Sequence, residues 1–137
     1  VRSGLEDIVA RLAVERCTPE DLERIADLLV RVERNHLTNE SDVELDAELH
    51  RELLQIGRNP LLESLYRRVS DASLRLLYLT NCGMEDRGEQ IATFQAVHDA
   101  LAARDAEKLA ELLRAHVRSF RDRVSRSIFS TADAMMT

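Results

Sequence analysis

Hydrophobic residues recur every three or four positions through most of the chain, with charged residues between them. This period is typical of amphipathic helices that bury one face. It predicts six helices, over about residues 2–16, 19–36, 42–57, from 60 to a break at 81–83, over about 85–103, and from 106 onward. No stretch alternates apolar and polar residues for long enough to indicate a strand. We therefore expect an all-α antiparallel bundle of about six helices.

Capping residues mark the ends of several predicted helices. The segment TPED at residues 18–21 combines an N-cap, a proline at the first helical position and acids in the first turn. SDVE at 41–44 matches a capping box. GRNP at 57–60 ends the third helix and begins the fourth, and Asn59 is expected to satisfy backbone groups in that turn. Asp105 is expected to cap the last helix.

Composition and charge restrict the class of protein. A chain of 137 residues is long enough for one domain with a real core. The net charge of −6 argues against binding nucleic acid through this chain alone. There is no apolar run of membrane-spanning length and no signal-peptide pattern. Cys17 and Cys82 lack a metal-type spacing and are interpreted as free thiols, so we expect a cytoplasmic protein without membrane partners.

Three side chains are the candidates for chemistry. Asp46 and His50 are four residues apart on the third helix and therefore project from one face. His116 lies on the apolar face of the last helix. A carboxylate and two imidazoles that meet inside a helical bundle can bind a metal ion or a small ligand. In the simpler interpretation, Asp46 and His50 lie on a solvated face and His116 is a hydrogen-bonded core histidine.

An enzyme is the alternative class. Metal-dependent catalysis through Asp46, His50 and His116 would need an open metal position and a nearby acid or base. The sequence has no Glu-x-x-His pair, and no Ser–His–Asp or Cys–His arrangement can be argued from it. We therefore expect no enzymatic activity, with a metal-dependent helical-bundle enzyme as the alternative function. A structural helical dimer with an inert core is a third.

Six short segments, in this order, carry a resemblance that covers nearly the whole chain: RSGLE at 2–6, LAVERCTPEDL at 12–22, LDAELH at 45–50, GRNPLL at 57–62, DALAARD at 99–105 and RAHV at 114–117. With these segments the sequence resembles the FadR C-terminal (FCD) domain, the effector-binding half of GntR-type bacterial transcription regulators. The resemblance implies that residues 1–137 form one effector-binding and dimerisation domain. It also implies an upstream winged helix-turn-helix domain, absent from this chain, as the only contact with DNA.

The resemblance also implies a metal site with one ligand replaced. Asp46, His50 and His116 correspond to three of the four side chains that hold a divalent metal in many such domains. The fourth ligand is a histidine on the fifth helix, and Phe94 occupies that position here, with Thr93 in place of the usual Glu. We expect weak binding of Zn²⁺ or Ni²⁺, or a metal-free pocket in which Asp46 pairs with a protonated histidine.

His98 is the alternative fourth ligand, because it shares a helical face with Phe94. One helical turn displaces it by about 5.4 Å, which argues against a simple exchange.

The effector implied by the resemblance is a small organic or sugar acid, with a fatty acyl ligand where polar metal ligands are lost. Arg2 is a candidate for a bidentate contact with its carboxylate, and Arg87 is a weaker candidate of the same kind. The full set of candidate effector-binding residues is Arg2, Asp46, His50, Arg87, Phe94, His98 and His116. We also expect a homodimer, with apolar residues 76–78 available for the contact.

Overall fold

The computed structural model describes residues 2–38, 40–79 and 87–136, without the side chains of residues 2, 3, 70, 73–79, 130–134 and 136. These ranges contain α1 (Arg2–Arg16), α2 (Pro19–Arg34), a 3₁₀ turn (Asn35–Leu37), α3 (Asp42–Gly57), α4 (Pro60–Leu79), α5 (Arg87–Ala102) and α6 (Ala106–Met136). No strand occurs in them, which confirms the all-α prediction. Among these helices, none combines the length and the apolar character that crossing a membrane requires. The predicted break at 81–83 lies outside the described residues.

The predicted caps are largely those of the structure. Thr18 and Asp21 form a reciprocal capping box at the start of α2. Ser41 Oγ accepts the Glu44 N–H at 3.4 Å at the start of α3. Asn59 Oδ1 accepts the N–H of Leu62 at 3.1 Å, and Asp105 Oδ1 accepts the N–H of Lys108 at 3.0 Å. These bonds satisfy first-turn N–H groups that have no partner within their own helix. The second helix ends earlier than expected, at Arg34, and a 3₁₀ turn follows.

Two arginines, rather than glycines, end α3 and α5 in the left-handed region. Arg58 has a φ of 49° and Arg104 a φ of 55°. This conformation costs a non-glycine residue roughly 1 kcal/mol. Each guanidinium offsets that cost by bonding to carbonyl oxygens at the C-terminal end of α1. Arg58 Nη1 donates to the Arg16 oxygen at 2.8 Å. Arg104 donates to the oxygens of Val14 and Cys17 at 2.8 and 3.0 Å.

Gly57 has a different role from the helix-ending one that its position suggests. It lies inside α3, and a Cβ added there would be 3.2 Å from Cβ of Leu12. The glycine therefore allows close approach of α3 to α1, and Arg58 supplies the left-handed turn.

Three helices run in the same direction. Arg16 Nη1 donates to the Gly57 oxygen at 2.7 Å, and Arg104 bonds to Val14, so α1, α3 and α5 end at one end of the bundle. At the opposite end, Gln90 Nε2 donates to the Asp42 oxygen at 3.0 Å, which places the starts of α3 and α5 together. The intervening α2 runs the opposite way, from the end of α1 to the start of α3. This agrees with the predicted antiparallel bundle.

The core is aliphatic, with few aromatic side chains. It joins buried residues of all six helices, including Val9, Ile25, Leu49, Tyr66 and Phe94. Cys17 belongs to it as a free thiol, and burial raises the pKa of this thiol. Cys82 lies outside the described residues. Among the side chains that the structure describes, six polar ones are also buried, and they include both histidines of the predicted site: Glu6, Asp21, Asn35, His50, Gln90 and His116.

Candidate metal and effector site

Asp46, His50 and His116 meet in the interior between α3 and α6. His116 Nε2 lies 3.0 Å from Asp46 Oδ1, and His50 Nδ1 lies 3.8 Å from Asp46 Oδ2. One donor atom from each residue can be chosen so that all three lie within 4.8 Å of one another. The helical period brings Asp46 and His50 to one face of α3. Only the packing of α6 brings His116 to them across the bundle.

The hydrogen bond of His50 fixes which ring nitrogen can bind a ligand. Nδ1 lies 2.9 Å from the backbone oxygen of Asp46, one turn earlier on α3. A carbonyl oxygen only accepts, so Nδ1 carries the proton and the lone pair of neutral His50 is on Nε2. Nε2 is buried and, among the described residues, has no hydrogen-bond partner. His50 is therefore oriented as a ligand whose second nitrogen is held by the backbone, as in many metal sites.

The donor set fits a divalent transition metal. Imidazole nitrogen and carboxylate oxygen bind Zn²⁺ at about 2.0–2.2 Å, which places neighbouring ligand atoms of a tetrahedral site about 3.4 Å apart. The pair His116 Nε2 and Asp46 Oδ1, 3.0 Å apart, would need to separate only slightly to reach this spacing. His50 must bring Nε2 to the same point. Three protein ligands leave at least one coordination position for water or for an oxygen of a bound molecule.

Phe94 lies on α5 at the level of Asp46. Gln90 of α5 contacts Asp42 of α3, and the two helices run in the same direction. Phe94 lies one turn after Gln90, and Asp46 lies one turn after Asp42. Phe94 is fully buried in the core. That this apolar ring occupies the place of a fourth ligand stays a prediction.

Two other candidates, His98 and Arg87, do not join the cluster. His98 is 27% exposed, and its Nδ1 lies 3.3 Å from Oδ1 of Asp99, so it is not brought to the three polar residues. The hydrogen bond from His98 lowers the pKa of Asp99. Arg87 Nε donates to Asn35 Oδ1 at 3.2 Å, and its Nη2 to the oxygen of Glu33, so it ties the start of α5 to the end of α2. The side chain of Arg2 lies outside the described residues.

Sequence reasoning missed two buried residues beside the cluster. The ring of Tyr66 on α4 stacks on that of His50, with centroids 6.1 Å apart and planes 22° apart. Tyr66 Oη donates to Oε1 of Glu6 on α1 at 2.6 Å. In the sequence analysis Glu6 was one acid of the opening segment, and Tyr66 was not singled out. The one available signal of a buried acid was the position of Glu6, directly after Leu5 on the buried face of α1.

The sequence model of the FCD domain matches residues 1–119. The chain belongs to the FCD domain family. A curated relative, the galactonate operon transcriptional repressor of Escherichia coli (strain K12), is 32% identical over 110 residues, which are 78% of this chain and 47% of the relative. The chain therefore spans about half the length of that relative. No solved structure shows a significant match. The family match and the curated relative indicate a domain of a regulator and not an enzyme, in agreement with the sequence analysis.

Proposed function

We propose that this FCD domain senses a small acidic effector at Asp46, His50 and His116, and so controls DNA binding by a winged helix-turn-helix domain elsewhere in the full-length regulator. The observation that carries the proposal is the buried, partnerless Nε2 of His50, in the company of a carboxylate and a second imidazole. Leaving a buried nitrogen unpaired costs about 1–3 kcal/mol, and a bound ligand removes that cost.

A weakly held Zn²⁺ or Ni²⁺ is part of the proposal. When bound, the metal supplies positive charge and an open position for an effector carboxylate. Asp46 balances part of this charge, the backbone of α3 orients His50, and the surrounding apolar core excludes water and so strengthens the contacts. Phe94 contributes shape and no bond.

A sugar acid is the effector class that the relative favours, because its name refers to a galactonate operon. The carboxylate and the adjacent hydroxyl of an aldonate together form a chelating pair for a three-ligand metal. An effector of this kind binds one protein conformation more tightly than the other and shifts the spacing of two attached DNA-binding domains.

Galactonate is expected to bind this chain in the presence of Zn²⁺, and His50→Ala is expected to abolish the binding, because Asp46 and His116 alone hold neither metal nor acid. Isothermal titration calorimetry of galactonate, with and without equimolar Zn²⁺, measures this. His98→Ala is the matched control, since it removes a histidine that lies outside the cluster, and it should bind within about twofold of wild type. Undiminished binding to the His50 variant would refute the proposed site.

We also propose that the domain forms a homodimer. Leu61 and Leu65, one turn apart on α4, are 82% and 51% exposed, and such a pair suits a protein contact. Residues 76–78, the positions expected from the sequence, lie beyond the described side chains of α4. Sedimentation equilibrium at micromolar concentration is expected to give twice the chain mass of 15.6 kDa. A single species of the chain mass at high micromolar concentration would contradict the dimer.

A further inference from the structure

A buried polar contact joins the candidate site to the first helix of the chain. Glu6 on α1 is fully buried, and Tyr66 on α4 is 1% exposed. Tyr66 Oη donates to Glu6 Oε1 at 2.6 Å, a short bond typical of a hydroxyl and a carboxylate. The two residues are sixty positions apart in sequence. This bond therefore depends on the packed bundle and ties α1 to α4.

The same tyrosine ring positions His50. The imidazole of His50 neighbours two rings: that of Tyr66, stacked on it with centroids 6.1 Å apart, and that of His116, tilted to it with centroids 5.4 Å apart. Its Nδ1 is held by the Asp46 carbonyl at 2.9 Å. A ligand that orders or moves the imidazole of His50 therefore acts on the ring of Tyr66 stacked on it, whose hydroxyl is bonded to Glu6.

Burying this pair is expensive. A carboxylate and a phenol lose their hydration in the core, and two aliphatic side chains would fill the space without that loss. The hydrogen bond between Tyr66 and Glu6 is directional and, unlike apolar packing, holds its two groups in one geometry. Under the proposed function, the chain that comes from the DNA-binding domain would lead toward α1.

We propose that Tyr66 and Glu6 are positioning residues that transmit occupancy of the Asp46–His50–His116 site to α1. This inference rests on the proposed function of that site. A ligand that orders His50 orders the Tyr66 ring stacked on it, and the hydroxyl bond to Glu6 then restrains α1. Tyr66→Phe keeps the ring and its stacking on His50 but removes the bond to Glu6.

Hydrogen–deuterium exchange of α1 peptides, with and without saturating Zn²⁺, tests the link, and calorimetry on the same samples gives the Zn²⁺ affinity. In wild type, Zn²⁺ is expected to slow exchange in α1 at least threefold. In Tyr66→Phe the affinity should stay within about threefold of wild type while the slowing in α1 is lost. Glu6→Gln retains an oxygen that can accept the tyrosine hydroxyl, so it should preserve at least half of the slowing.

The matched control is Asp7→Asn. Asp7 is the next residue on α1 and pairs with Arg114 of α6, so its loss perturbs α1 without touching the link. It should leave the Zn²⁺ response of α1 unchanged. Zn²⁺ binding by wild type without any change in α1, or an unchanged α1 response in Tyr66→Phe, overturns the link and leaves the proposed site standing. If wild type binds neither Zn²⁺ nor galactonate, the site and the link are both overturned. Urea unfolding of each variant verifies that it is folded.

Discussion

Phe94→His is expected to raise the affinity of the domain for Zn²⁺ about a hundredfold. A complete four-ligand zinc site contributes roughly 10–16 kcal/mol, so one further ligand adds on the order of 3 kcal/mol, which is about a hundredfold in the dissociation constant. Phe94 is fully buried and lies on α5 at the level of Asp46, where a histidine can complete the set. Calorimetric titration with Zn²⁺ and with Ni²⁺ measures the change.

The same substitution has an opposite effect on the metal-free protein. Replacing a fully buried phenyl ring by imidazole is expected to lower the free energy of unfolding by about 3 kcal/mol, because packing is lost and a polar ring is buried. Zn²⁺ should recover this loss, since a ligand that binds only the folded state stabilises it. Thermal unfolding with and without the metal separates the two effects.

Two variants control this experiment. Phe94→Leu removes the aromatic ring without adding a ligand and should leave the Zn²⁺ affinity unchanged. Adding His50→Ala to Phe94→His should cancel the gain. Stoichiometric and tight Zn²⁺ binding by wild type would show that the interpretation of Phe94 is wrong. If Phe94→His gains nothing, the three polar residues do not form a metal site, and they contact an organic effector directly.

Asp21→Ala is expected to lower the free energy of unfolding by about 3 kcal/mol. The carboxylate is 1% exposed, and Oδ2 accepts the N–H of Thr18 at 2.9 Å and Nη2 of Arg58 at 3.1 Å, while Oδ1 pairs with Arg24. Its removal opens the capping box of α2, worth about 1 kcal/mol, and breaks a charged hydrogen bond worth about 2 kcal/mol. Urea unfolding followed by circular dichroism measures the loss.

The pH dependence of stability should carry the signature of Asp21. Burial alone raises the pKa of this carboxyl, but the N–H of Thr18 and the guanidinium of Arg58 together outweigh it and leave the pKa below its usual value. A carboxyl with a lowered pKa in the folded state stabilises the protein above the pKa of the unfolded chain, near 3.9. This contribution is lost as the pH falls through the folded-state pKa, so the difference between wild type and Asp21→Ala should shrink below about pH 4.

Asp27→Ala is the control for this prediction. Asp27 lies on the same helix and is exposed, so its removal should change the free energy of unfolding by less than about 0.5 kcal/mol. Equal effects of the two substitutions would show that the contacts of Asp21 do not stabilise the start of α2.

The sequence determined the helices and their caps. A period of three to four residues and local capping groups such as Thr18, Ser41 and Asn59 act within a few residues, so they can be identified without tertiary contacts. The placement of Asp46 and His50 on one face of α3 follows from the same local geometry. The resemblance to the FCD family added the expectation that His116 joins them, and the structure brings His116 Nε2 to 3.0 Å from Asp46 Oδ1.

Tertiary structure decided the features that arise where two helices contact each other. The left-handed arginines could not be foreseen, because Arg58 and Arg104 adopt that conformation only where their guanidinium groups reach the end of α1. The bond between Glu6 and Tyr66 joins residues sixty positions apart, and no periodic pattern encodes such a pairing. Local sequence sets the face on which a residue lies, whereas the partner of a buried polar group depends on the rotation and level at which two helices pack.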